Sequence, residues 1–112
     1  MAGTAVTKKG EIQGRGGVLE FWQCSIDPAS IAAAAQGIET IAIPGARAGD
    51  LAWAQPEAIE TMLIVQGAKV TGNDEVSVYL SNAINASTAI DGAAKVWNII
   101  VFKFAGSDTL AA

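Results

Sequence analysis

Two turn signals within residues 44–50 constrain this chain more than any other feature. Pro44 fixes φ and Gly45 can take positive φ, so the pair turns the chain sharply. Gly49-Asp50 gives a second turn signal before the next apolar stretch. Residues 38–43 before the first turn read as a short alternating strand, and residues 51–55 after the second read as another, closed by Pro56. Nothing in this block does chemistry. It is the pattern of a compact β module.

The rest of the chain continues that pattern. Residues 18–26 are rich in β-branched and aromatic side chains and read as a strand, which Asp27-Pro28-Ala29-Ser30 breaks. The alanines of residues 31–36 suggest a single helical turn, and Pro56 opens a loop or short helix over residues 57–61. Residues 62–70 form a strand interrupted by Gly67, a candidate bulge. Thr71-Gly72-Asn73-Asp74 is a hairpin turn, and residues 75–81 alternate, with Val76, Val78 and Leu80 on one side. A polar connection over residues 82–94 leads to a final strand, residues 95–104. Six short strands predict an all-β fold: a compact antiparallel β-sandwich or a small β-barrel with a flexible N-terminal arm. Ile41, Ile43, Val76, Val78, Leu80, Ile100 and Phe102 are its expected core.

Five glycines fall within residues 1–17, together with Lys8, Lys9 and Arg15. A segment with so little to bury loses much entropy on ordering, so it reads as a mobile basic arm whose one strand-like piece is residues 4–7. The domains are therefore expected as an arm over 1–17, a β body over 18–104 and a tail over 105–112. The arm carries a formal charge of +2 and the remainder −6, giving −4 in all. That balance argues against a nucleic-acid partner. No apolar run approaches the ~20 residues of a membrane span, and no apolar core follows Lys8 and Lys9, so neither a membrane nor a secretory signal is expected.

The final strand is apolar on both sides. Val96, Ile100, Phe102 and Phe104 share one face with Asn98; Trp97, Ile99 and Val101 lie between Lys95 and Lys103 on the other. Residues 18–26 and 62–70 have the same character. A sheet of a two-layer sandwich normally leaves one face in water, so something is expected to cover these outer faces. A subunit contact at Trp97, Ile99 and Val101 meets that need, as does a closed barrel with a thick core or a covering loop.

A search for chemistry returns little. The chain has no histidine, the commonest general base and a frequent metal ligand. Cys24, the only cysteine, sits mid-strand without an imidazole to activate it and reads as a core residue. Glu57 with Glu60, and Asp74 with Glu75, lie where acidic side chains favour turns and helix starts. Residues 10–17 lack the lysine and the following helix of a phosphate-binding loop. Asn85-Ala86-Ser87 matches a glycosylation acceptor by chance spacing, and Trp22, Trp53 and Trp97 fall one to a strand. No enzyme, cofactor or metal is expected.

The order of signals carries a resemblance. Ile26-Asp27-Pro28-Ala29-Ser30-Ile31 is followed by Ile41-Ala42-Ile43-Pro44-Gly45, Gly49-Asp50 and Pro56. Then come Val65-Gln66-Gly67-Ala68-Lys69-Val70, Asp74, Val76-Ser77-Val78-Tyr79-Leu80, Asn82 and a closing apolar strand. This resembles small β-structured virion proteins of tailed bacteriophages, over roughly residues 26–104. The alanine run after Ser30 departs from it, and the basic arm lies outside it. The resemblance implies a capsid decoration or cement protein on the outer surface of the virion, made in the host cytoplasm. Its expected partners are the major capsid protein and its own copies, as a homotrimer. Thr4, Val6, Lys8, Lys9 and Arg15 are the expected capsid contacts on the arm. A tail- or fibre-associated module gripping a host glycan or another virion protein is the alternative.

Overall fold

The computed structural model describes residues 6–58, 63–82 and 88–104. It is all-β, with two antiparallel sheets and no helix among the described residues. The strands are β1 (Val6–Gly14), β2 (Gly17–Ile26), β3 (Gln36–Ala42), β4 (Leu51–Pro56), β5 (Ile64–Gly72), β6 (Glu75–Ser81) and β7 (Lys95–Phe104). One sheet has the order β1-β2-β7-β4 and the other β3-β6-β5. Packed face to face they form a sandwich.

The turns follow from the residues that mark them. Gly45 sits at φ 88° and the Ala46 N–H donates to the Ile43 carbonyl at 3.2 Å, a type II arrangement with Pro44 at its second position. The next turn repeats it: Gly49 has φ 101°, and the Asp50 N–H donates to the Arg47 carbonyl at 3.0 Å. Asp50 returns the bond, its Oδ2 accepting from the Arg47 N–H at 3.0 Å. The β5–β6 hairpin turns at Asn73-Asp74, with Asp74 at φ 62°. Its tip is fastened to the first turn. The Asp74 N–H donates to the Ala46 carbonyl at 2.7 Å, and Asp74 Oδ1 accepts from the Gly45 N–H at 2.7 Å. Gly67 lies at a register shift between β5 and β6, the bulge that an isolated glycine in a strand signals.

The core lies between the sheets. Trp22, Cys24 and Ile26 of β2 and Trp97, Ile99 and Val101 of β7 meet Ile41, Val70, Val76, Val78 and Leu80 of the other sheet. Asn82 is fully buried and ties the loops at one end, its Nδ2 donating to the carbonyls of Ile31 (3.1 Å), Ala32 (3.2 Å) and Thr88 (2.8 Å).

Three expectations change. The helical turn over residues 31–36 is instead a β-turn closed by the Ala35 N–H on the Ala32 carbonyl at 3.1 Å, with Ala34 at φ 59°. Ile31 pairs with Ile90 as an isolated bridge, which holds that segment extended. Much of the arm is a strand: β1 pairs with β2 from Val6 to Gly14 and turns back through Arg15-Gly16. Backbone pairing orders it, since eight of its nine residues remain exposed. In β7 the core face is the reverse of the expected one, as set out below. The tail and residues 59–62 and 83–87, with the Asn85-Ala86-Ser87 acceptor, fall outside the described residues.

Candidate functional site

The two outer faces of the sandwich differ in kind. On the three-stranded sheet, polar side chains link neighbouring strands: Thr40 Oγ1 and Ser77 Oγ lie 3.1 Å apart, and Thr71 Oγ1 donates to Glu75 Oε2 at 2.9 Å. This is the wetted face expected of an antiparallel sheet. On the four-stranded sheet the register sets Ile12, Leu19, Phe102 and Leu51 side by side across all the strands. The next row is Gly10, Phe21, Ile100 and Trp53. Phe104 extends the patch and packs edge-on against Phe102, ring centroids 4.8 Å apart. Ile12 is 60% exposed, Trp53 51% and Leu51 45%.

A row of amides borders the patch, where Gln23 pairs with Asn98 and Asn98 with Gln55. Gln23 Nε2 donates to Asn98 Oδ1 at 3.0 Å. On the outer-facing positions of β2, β7 and β4 there is no charged residue. On β1, Lys9 falls in the bulge between Lys8 and Gly10.

The ionic groups of this sheet gather on the opposite side. Glu20 is buried and its Oε2 receives Lys8 Nζ at 3.3 Å and Lys103 Nζ at 3.2 Å, while Oε1 accepts from Trp22 Nε1 at 3.2 Å. Lys8 also pairs with Glu11 and lies 5.9 Å from the centroid of the Trp22 ring. The Glu11 carboxylate holds the Lys8 ammonium above its ordinary pKa, and Lys8 in turn holds Glu11 below its own. Each charge has a nearby partner, so this cluster steadies the β1–β2 hairpin and β7 rather than presenting a reactive group.

Of the expected capsid contacts, Thr4 lies outside the described residues. Val6 is half-buried against the core at the start of β1, and Lys8 is engaged with Glu11 and Glu20. Lys9 and Arg15 are exposed, one in the bulge and one at the hairpin turn. The expected oligomer contacts require a correction. Trp97, Ile99 and Val101 are buried within the protomer, where they pair with Cys24, Trp22 and Glu20 on β2. Ile100 and Phe102, expected in the core, stand on the outer face. The lysines flanking the buried trio misled the assignment: at strand ends, long side chains reach the rim while neighbours of the same parity stay inside. Lys103 stays partly exposed while its ammonium meets the buried Glu20 carboxylate.

A cavity of about 310 Å³ opens beside Trp97, lined mainly by Pro28, Ala54, Pro56, Leu63 and Val65. Gln55 and Lys95 bring its polar character, and no group of acidic, cysteine or histidine side chains able to hold a metal occurs among the described residues. Trp22 and Trp97 are core residues, so the three tryptophans form no common platform. No known protein family matches the chain, and neither does any curated protein or solved structure.

Proposed function

We propose that this protein is a capsid decoration protein that attaches to the outside of an assembled bacteriophage head and stabilises it. One observation carries the reading beyond the resemblance: β1 is a nine-residue edge strand, exposed from Thr7 onward. One edge of it is bonded to β2. The other edge offers backbone donors and acceptors, the groups by which an extended segment of a shell subunit adds to a sheet. Lys9 and Arg15 supply positive charge along the same margin, on a chain that is acidic overall. Attachment through backbone and charge asks for no catalytic group, and the protein acts as an oligomer on the shell.

Co-sedimentation with undecorated heads tests this. Removing residues 1–14 is expected to abolish attachment while the sandwich still unfolds cooperatively, because β1 contributes little beyond Val6 to the core. Reversing charge at Lys9 and Arg15 is expected to weaken attachment chiefly at low salt, since exposed charges are screened over ~8 Å at physiological ionic strength. Full attachment by the truncated protein would refute the reading.

A further inference from the structure

We infer that the outer face of the β1-β2-β7-β4 sheet is a self-association surface, on which a second copy of this chain packs face to face about a two-fold axis. This deepens the oligomeric part of the capsid reading but stands without it.

Size comes first. The four strands, nine, ten, ten and six residues long and ~4.8 Å apart, cover about 550 Å² in projection at ~3.3 Å per residue. Two such faces give about 1,100 Å², close to the lower bound of a specific interface before side-chain relief adds to it.

Charge selects the occupant. The chain carries −4, so two copies repel over most of their surface. The outer-facing positions of β2, β7 and β4 hold no charge, which makes this sheet face the place where like-charged copies meet without opposing charges. An acidic or basic partner would instead call for a complementary charge, and the face has none to give.

Pattern fixes the symmetry. The apolar rows and the amide row are separated along the strands, not across them. A two-fold axis parallel to the strands, between β2 and β7, sets β1 of one copy over β4 of the other. It brings apolar rows onto apolar rows and Gln23, Asn98 and Gln55 onto an amide row. Such a contact is isologous and closes at two copies. The trimer implied by the resemblance would need a heterologous contact, for which this self-complementary face is unsuited.

Sedimentation equilibrium of the purified full-length protein, without heads, decides the matter. The wild type is expected to be a dimer whose Kd changes little across a salt series. Trp53→Glu and Leu51→Lys each place a charge on the face at an exposed position, and each is expected to weaken the dimer by about tenfold or more. Ile38→Lys, equally exposed on the other sheet, is expected to leave the Kd unchanged. Far-UV circular dichroism verifies that each variant is folded. A monomeric or trimeric wild type overturns the inference, as does a dimer that survives both face variants or is lost with Ile38→Lys. Because no head is present, failure here leaves capsid attachment standing, and failure of co-sedimentation leaves the dimer standing.

Discussion

Ile99 and Ile100 are adjacent, chemically identical and opposite in role. Ile99 is fully buried between the sheets, whereas Ile100 stands beside Phe21 and Trp53 on the outer face. Ile99→Ala is therefore expected to cost about 2–5 kcal/mol in urea unfolding, the range for truncating a buried aliphatic side chain. Ile100→Ala is expected to cost the monomer less than about 1 kcal/mol, as partly exposed positions away from the core usually do. Similar losses at both would place Ile100 in the core after all. Cys24 reports on the same interior. Burial pushes its thiol up to about 11 from an ordinary 9.0. As pH rises from 9.0 towards 11 the unfolded chain releases this proton before the folded one does, so folding stability falls across that window. Unfolding curves over that range are expected to decline more steeply for the wild type than for Cys24→Ala. Equal slopes would mean that the thiol is not desolvated.

At the scale of the element, β1 shows what glycine content conceals. Its glycines read as mobility, yet Gly17 is a packing requirement at the start of β2. A Cβ there would lie 2.0 Å from the Lys103 carbonyl oxygen, on a backbone with φ 145°. Gly16, one residue earlier, has open space around it. Gly17→Ala is expected to disrupt the β2–β7 pairing and lower the melting temperature sharply, while Gly16→Ala leaves it nearly unchanged. Comparable melting temperatures would show that β7 does not approach Gly17 so closely. The other six strands were legible because period-two patterning and turn residues agree locally, most clearly at residues 75–81 and at Pro44-Gly45. The turn at Ala34 was not, since an alanine at positive φ is held there by Asn82 and the Ile31–Ile90 bridge, both distant in sequence. The doubly apolar strands revealed that an outer face is unusual. Alternation alone could not say which parity faces inward, and that choice decided where the expected interface fell.

Across the whole molecule, the sandwich divides its work between two dissimilar exteriors. The three-stranded sheet presents a mostly polar surface on which Ile38 and Ile64 are also exposed, and the four-stranded sheet presents an apolar face bordered by amides, with no charge on the outer positions of β2, β7 and β4. The first of these was legible in the alternation of residues 75–81. The second needed the strand order, because only the adjacency of β2, β7 and β4 fuses separate apolar stripes into one surface. That strand order also imposes a timetable on biosynthesis. Every strand of the three-stranded sheet has been made by Ser81, and its β5–β6 hairpin joins near neighbours. The other sheet has β7 near its centre, so β2 and β4 wait for a partner that is not complete until Phe104. During translation at ~5–20 residues per second, β2 has only β1 beside it and β4 has no strand of its sheet, so Leu19, Phe21 and Trp53 spend seconds without the β7 neighbours that flank them in the fold. The stripes that later lie side by side on the outer face are thus also apolar surface open to misassociation while the chain is being made.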